Sequence, residues 1–304
     1  MTDRVPVILD VDTGTDDALA IAYAVESPRV DLIAVTTVAG NVDVEKTTAN
    51  SLAVLDWLGA ASVPVHRGAS RPLVRPHQDA SWIHHEQGLG GANIPASSRG
   101  TGPDRGPAAI VRHANARPGE LTLVAVGPLT NVAIALNVEP RLPELLRSLV
   151  IMGGAFRVPG NTTPWAEFNI VVDPEAAAQV FAAGFPNLVA VGLDVTERVG
   201  LTKSDWSSVK QGSKKRPSAA LFGEVGAHAF ASRAIEQFHL HDPLSMIVAV
   251  DPSLVELEGA TVVVDLDDEY LGRTRIDGPG TSQIALGVDV ERALDEFRRT
   301  VGLV

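Results

Sequence analysis

A chain of 304 residues, 45% hydrophobic and 20% charged, has the composition of a globular protein with a substantial core, in one large domain or two small ones. It has no cysteine, which excludes disulfides, zinc–thiolate sites and a cysteine nucleophile and fits a cytoplasmic protein. A formal net charge of −12 makes nucleic acid and anionic membranes poor partners and weakly favours a bound cation. The longest apolar runs fall short of a membrane span, and no apolar leader segment is visible, so neither a membrane anchor nor a secretory signal is expected.

In chain order, Val5–Leu9 reads as a strand and Asp16–Glu26 as the helix after it, stopped by Ser27-Pro28. Val30–Val38 is a second strand, Val44–Leu58 a helix and Val63–His66 a third strand, so the alternation predicts a parallel sheet. Residues 68–106 are rich in Pro, Gly, Ser, Arg and His without periodicity, the mark of a functional or disordered connection. A helix is expected over Pro107–Ala116, strands over Leu121–Val126 and Ser148–Met152, and a helix between them that ends near Glu139-Pro140. Ala155–Val172 reads as a loop, Asp173-Pro174-Glu175 as a helix start with an Asp cap, and Leu188–Leu193 as a sixth strand. Leu201–Leu221, with Lys203, Lys214, Lys215 and Arg216, reads as surface helices and a mobile loop, and Glu224–Phe238 as a helix. After His239-Leu240-His241-Asp242-Pro243 come a helical segment, Leu244–Val250, three late strands and a closing helix, Val290–Val301. No repeat or linker is evident, which points to a single domain over residues 1–304.

The first turn is the strongest chemical signal. Asp10, Asp12, Asp16 and Asp17 fall within eight residues, where an apolar strand passes into a helix. Such turns lie at the carboxyl edge of open α/β sheets, where ligands bind. Four clustered carboxylates repel one another, and a hard divalent cation removes that cost by taking several oxygen ligands. A helix N-terminus capped by Thr15 would account for Asp16 and Asp17, but not for Asp10 and Asp12. The spacing breaks the EF-hand pattern, and Gly14 stands where a haloacid-dehalogenase-type phosphatase needs Thr.

Other motifs carry weaker signals. Asp242 could supply a distant ligand to the same cation, and His241 could act as a general acid near neutral pH, although Asp-Pro is also a common helix start. Glu167 and Asn169, with Asn161 nearby, could bind vicinal hydroxyls or could simply cap the loop. His84-His85-Glu86, in a Gly-rich stretch, could form a lid, and Asn41 ends the second strand beside the acidic turn. Trp57, Trp82, Trp165 and Trp206 read as core or rim, and Lys214–Arg216 as a solvated loop.

Together the motifs resemble the nucleoside hydrolase family, the inosine-uridine preferring nucleoside N-ribohydrolases. The family opens with Asp-x-Asp-Pro-Gly-x-Asp-Asp, and this chain reads Asp10-Val11-Asp12-Thr13-Gly14-Thr15-Asp16-Asp17. It also matches, in family order, at Thr36–Asn41, Gly127–Asn131, Met152–Gly154, Ala166–Asn169 with Asp173–Ala177, and His241–Pro243. The resemblance implies a Rossmann-like α/β fold, with a mostly parallel central sheet flanked by helices and an active site at its carboxyl edge. It implies a Ca²⁺ ion held by Asp12, Asp17, Asp242 and the carbonyl of Val126. Asp16, Asn161, Glu167 and Asn169 would hold ribose hydroxyls, and Asn41 and Met152 would line the sugar. Asp12 would activate the water, His241 would serve the leaving base with His84 as helper, and Asp10 would support them from behind. The substrate would be a ribonucleoside, in nucleoside catabolism and purine salvage, and the enzyme a cytoplasmic homodimer or homotetramer.

Two departures stand out. Thr13 replaces the family proline and is expected to loosen the turn without removing a ligand. Before His241 only Phe238 and His239 could contact the base, which leaves purine against pyrimidine preference open. Two competing readings remain: a Mg²⁺-dependent phosphohydrolase with Asp10 as nucleophile, and a non-catalytic nucleoside- or ribose-binding protein.

Overall fold

The computed structural model describes residues 4–211 and 216–304. Eight strands make the main sheet: β1 Val5–Val11, β2 Val30–Thr37, β3 Val65–Arg67, β4 Thr122–Ala125, β5 Ser148–Met152, β6 Leu188–Val191, β7 Val255–Ala260 and β8 Ser282–Val288. Their order is β3-β2-β1-β4-β5-β6-β8-β7. All neighbours pair in parallel except β7, which lies antiparallel to β8 on the edge. β1, β4 and β5 are nearly continuous apolar runs because both faces are covered. On β1, Val7, Leu9 and Val11 enter one packed layer and Ile8 the other, as a two-residue period requires.

This order positions the site. From β1 the chain winds outward one way to β2 and β3, and from β4 the other way to β5 and β6. The crevice between the carboxyl ends of β1 and β4 is the topological switch point, where ligands bind in open α/β sheets. The end of β1 and the helix after it bring Asp12, Asp16 and Asp17 there, and the chain leaving β4 brings Val126.

The predicted elements recur with small shifts, and Ser148–Met152 and Val290–Val301 recur with the same bounds. Four readings are corrected. The helix expected over Glu224–Phe238 is instead a helix over Pro217–Ala227, a widened turn over His228–Ser232, and a strand, Gln237–His239, antiparallel to Gly200–Thr202. Phe222, Phe230 and Phe238 bury in one cluster, with ring centroids 6.1–6.5 Å apart, and a straight helix cannot bring all three together. Residues 155–172 are not all loop, because a short helix, Phe168–Val172, closes them. Asp242 is not a helix cap: the helix runs His241–Val250, with Leu240 before it. The edge strand β7 was not expected, since four of its six residues are exposed and leave no apolar run. Lys214 and Lys215 lie outside the described residues. Among the described residues no helix is long and apolar enough to cross a membrane.

Candidate active site

The acidic turn is held from within. The Asp17 carboxylate accepts the backbone N–H of Asp12 at 3.0 Å and of Gly14 at 2.8 Å, closing the loop between strand and helix. Helix Thr15–Glu26 starts with Gly14 as its cap, so the Thr15 hydroxyl is free to meet His84 Nδ1 at 3.1 Å. The end of β2 supplies the other wall. Asn41 N–H donates to Asp12 Oδ2 at 2.7 Å, and its side-chain amide to Asp17 Oδ2 at 3.1 Å. This approach is close enough to demand glycine. A Cβ on Gly40 would lie 2.1 Å from Asp12 Oδ2, and one on Gly127 would lie 2.9 Å from Asp12 Oδ1.

Thr13 does not loosen the turn. It is fully buried, its hydroxyl pairs with Ser51 at 2.6 Å, and its carbonyl accepts from Asn50 at 3.1 Å. A side-chain hydrogen bond here supplies the anchoring that a proline ring supplies through fixed φ.

Asp10 faces away from the cavity. Its Oδ1 accepts from the Thr36 hydroxyl and from Asn131 at 2.7 Å, and Asn131 also donates to the Thr37 carbonyl at 2.9 Å. Asp10 therefore ties the motifs of β1, β2 and residues 127–131 into one buried network. A carboxylate placed behind the strand cannot attack a substrate in the cavity, which removes the basis of the phosphohydrolase reading.

Asp242 arrives from the first turn of helix His241–Val250. Oxygens of Asp16, Asp17 and Asp242 lie within 4.8 Å of one another, a spacing able to hold a metal ion. Asp12 is not one of that trio, but it lines the same cavity. Burial, reinforced by mutual repulsion, pushes the carboxyls of Asp12 and Asp242 well above the usual range and that of Asp16 up to about 7. Burial also raises Asp17, against hydrogen bonds that lower it. Oδ1 of Asp12 and Oδ1 of Asp16 are buried without a partner among the described residues. Orphaned carboxylate oxygens on groups this hard to ionise are what a hard dication with oxygen ligands would satisfy.

The opposite wall comes from the carboxyl ends of β4 and β5 and the helix Phe168–Val172. Glu167 caps that helix, accepting N–H groups of Asn169 at 2.9 Å, Gly154 at 3.1 Å and Ile170 at 3.2 Å. Burial nevertheless pushes its carboxyl up to about 7. The Asn169 amide donates to the carbonyls of Val126 at 2.8 Å and Met152 at 3.2 Å. Asn161 is exposed at the rim, and its Oδ1 accepts the N–H of Phe168 at 3.0 Å. Capping and cavity-lining are thus the same residues here, not alternatives.

His84, in the short helix Ser81–His84, and His241 close a third side. Burial lowers both rings to about 3, so both are uncharged at neutral pH and neither is a standing imidazolium. The cavity is about 670 Å³, within the range of small-molecule sites. Asp12, Asp16, Asn41, Val126, Met152, Asn161, Glu167, Asn169, His84, His241 and Asp242 all line it; Asp17 sits directly behind them. Sequence reading did not find Arg233, His228 or Gln237, which line the far end, because the chain reversal that brings them there has no local signature. Trp82, read as core or rim, is 69% exposed at the mouth.

The profile described as inosine-uridine preferring nucleoside hydrolase matches residues 7–295. The chain is 40% identical over 297 residues to the non-specific ribonucleoside hydrolase RihC of Escherichia coli K12, covering 95% of each. It is 41% identical over 298 residues to the Klebsiella pneumoniae RihC, again covering 95% of each. Among solved structures it resembles the plant nucleoside hydrolase PpNRh1 (TM-score 0.90, 33% identity, 98% of this chain and 99% of that one). It also resembles the purine-preferring ribonucleoside hydrolase of Gardnerella vaginalis (TM-score 0.91, 35% identity, 98% of each).

Proposed function

Because the chain belongs to the inosine-uridine preferring nucleoside hydrolase family, and so is a hydrolase acting on N-glycosyl compounds, we propose that it is a Ca²⁺-dependent nucleoside N-ribohydrolase that releases base and ribose. The observation that carries the reading is the convergence of Asp16, Asp17 and Asp242, beside Asp12 with its unpartnered Oδ1, on one nucleoside-sized cavity at the switch point of the sheet.

In this reading Asp12, Asp17, Asp242 and the Val126 carbonyl would hold the ion. An oxygen-only ligand set favours Ca²⁺ or Mg²⁺ over softer metals, and the flexible mix of carboxylates and a carbonyl suits Ca²⁺. When bound, such an ion orients a water and lowers its pKa. Asp12 would accept a proton from the attacking water as the water oxygen bonds to C1′. The C1′–N bond breaks through an oxocarbenium-like transition state, and its electron pair leaves with the base. Asp16, Asn161, Glu167 and Asn169 hold the ribose hydroxyls, and Asn41 and Met152 line the ring. Carboxylates around the sugar stabilise its developing positive charge. His241, with His84 beside it, donates to the departing base.

The whole chain, residues 1–304, then serves as one catalytic domain. It acts in nucleoside catabolism in the cytoplasm as a homodimer or homotetramer. The relatives named non-specific support action on purine and pyrimidine ribonucleosides alike. The test is a panel of inosine, uridine and a phosphomonoester, assayed for reducing sugar and phosphate with and without chelator. Ribose release that chelation stops and Ca²⁺ restores is the expected result. Phosphate release, or nucleoside binding without turnover, would sink the reading.

A further inference from the structure

We infer, building on that reading, that Thr196 is a positioning residue that fixes which nitrogen of His241 faces the leaving base. Thr196 ends the short helix Leu193–Thr196 after β6 and is fully buried. Its Oγ1 lies 2.8 Å from His241 Nδ1, and among the described residues that hydroxyl has no other hydrogen-bond partner.

The partnership decides the tautomer. A threonine hydroxyl has one proton to give, and a neutral imidazole has one N–H and one bare nitrogen. With the hydrogen on Nδ1, His241 would donate to Oγ1, and the buried O–H of Thr196 would have nowhere to go. With the hydrogen on Nε2, Thr196 donates to Nδ1, and both buried atoms are satisfied. Among the described residues Nε2 has no hydrogen-bond partner, and it is not sealed off, since His241 lines the cavity. His241 therefore turns an N–H donor toward the cavity, aimed at a lone pair on the departing base.

His84 reaches the same state by a separate route. Its Nδ1 accepts the backbone N–H of Thr15 at 3.2 Å. A backbone N–H can only donate, so the His84 hydrogen also sits on Nε2. The base end of the cavity thus presents two neutral donors, which suit the ring-nitrogen and carbonyl acceptors of a nucleobase. Among the described residues, Thr196 makes the only hydrogen bond to the His241 ring.

The test uses Thr196→Val, which keeps the shape and loses the hydroxyl, and Thr196→Ser, which restores it. Both are assayed as full-length protein on inosine and on p-nitrophenyl riboside, whose leaving group needs no donor. The ¹⁵N signals of His241 are read alongside. The expected result is a fall of about tenfold or more in inosine kcat for Thr196→Val, with little change in KM and p-nitrophenyl riboside turnover within about twofold of wild type. Thr196→Ser should restore inosine turnover, and wild-type His241 should show bare Nδ1 and protonated Nε2. Equal losses on the two substrates, an unchanged inosine kcat, or a hydrogen on Nδ1 in the wild type would overturn the inference. A wild type that hydrolyses neither substrate would sink the nucleoside hydrolase reading instead, and the ¹⁵N signals would still decide the tautomer.

Discussion

The side-chain amide of Asn169 donates to the main-chain carbonyl of Val126 at 2.8 Å. One residue belongs to the proposed sugar-holding wall and the other to the proposed ion-holding set, so a single hydrogen bond joins the two. Asn169→Ala should therefore act on both. We expect KM for inosine to rise and Ca²⁺ affinity to fall by about tenfold, the weight of one ordinary hydrogen bond. Calorimetric Ca²⁺ titration checks it, and unaltered Ca²⁺ affinity would uncouple the two sets.

Asp242 brings a carboxylate from the far end of the chain to the N-terminal turn. Asp242→Ala should weaken Ca²⁺ binding and hydrolysis together, and tight binding in that variant would remove Asp242 from the ligand set. Chelation should also lower thermal stability. An ion present at a hundred times its Kd adds about 2.7 kcal/mol to a fold that alone binds it. Calorimetric scans with EDTA against excess Ca²⁺ measure the difference.

Glu167 gives a pH prediction. Burial makes its carboxyl harder to ionise in the folded chain, moving it from 4.5 up to about 7. The folded state then holds a proton that the unfolded state releases. The resulting stabilisation is complete below about pH 4.5 and is lost as pH rises through about 7. A shift of this size corresponds to at most roughly 3–4 kcal/mol. Replacing Glu167 by Gln should flatten this part of the profile, read as denaturation midpoints from pH 5 to 8. Parallel wild-type and Glu167→Gln profiles would refute it.

Thr13→Val tests how the turn is anchored. The substitution keeps the shape and deletes the bond to Ser51, whose own hydroxyl still reaches the Thr47 carbonyl at 2.8 Å. A loss of about 1 kcal/mol in chemical denaturation is expected. An unchanged midpoint would mean that Asn50 and the backbone hold Thr13 without help.

The amino-acid sequence by itself determined the alternation of strands and helices, the acidic turn at the end of the first strand, and the ordered motifs that mark the family. These are local properties. The unbroken apolar run Val7-Ile8-Leu9 states that both faces of its strand are buried, whichever elements cover them. Only the tertiary structure decided how the aspartates divide. Asp10 turns to Thr36 and Asn131, while Asp16 and Asp17 meet Asp242, because helix His241–Val250 packs against helix Thr15–Glu26. The same holds for the segment after Ala227. Its periodicity suited a helix, but burying Phe222, Phe230 and Phe238 in one cluster reverses the chain and carries Gln237 and His239 to the cavity. Thr196 was beyond local reading for the same reason: its role is a 2.8 Å contact with His241, a residue brought beside it by the packing of separate elements.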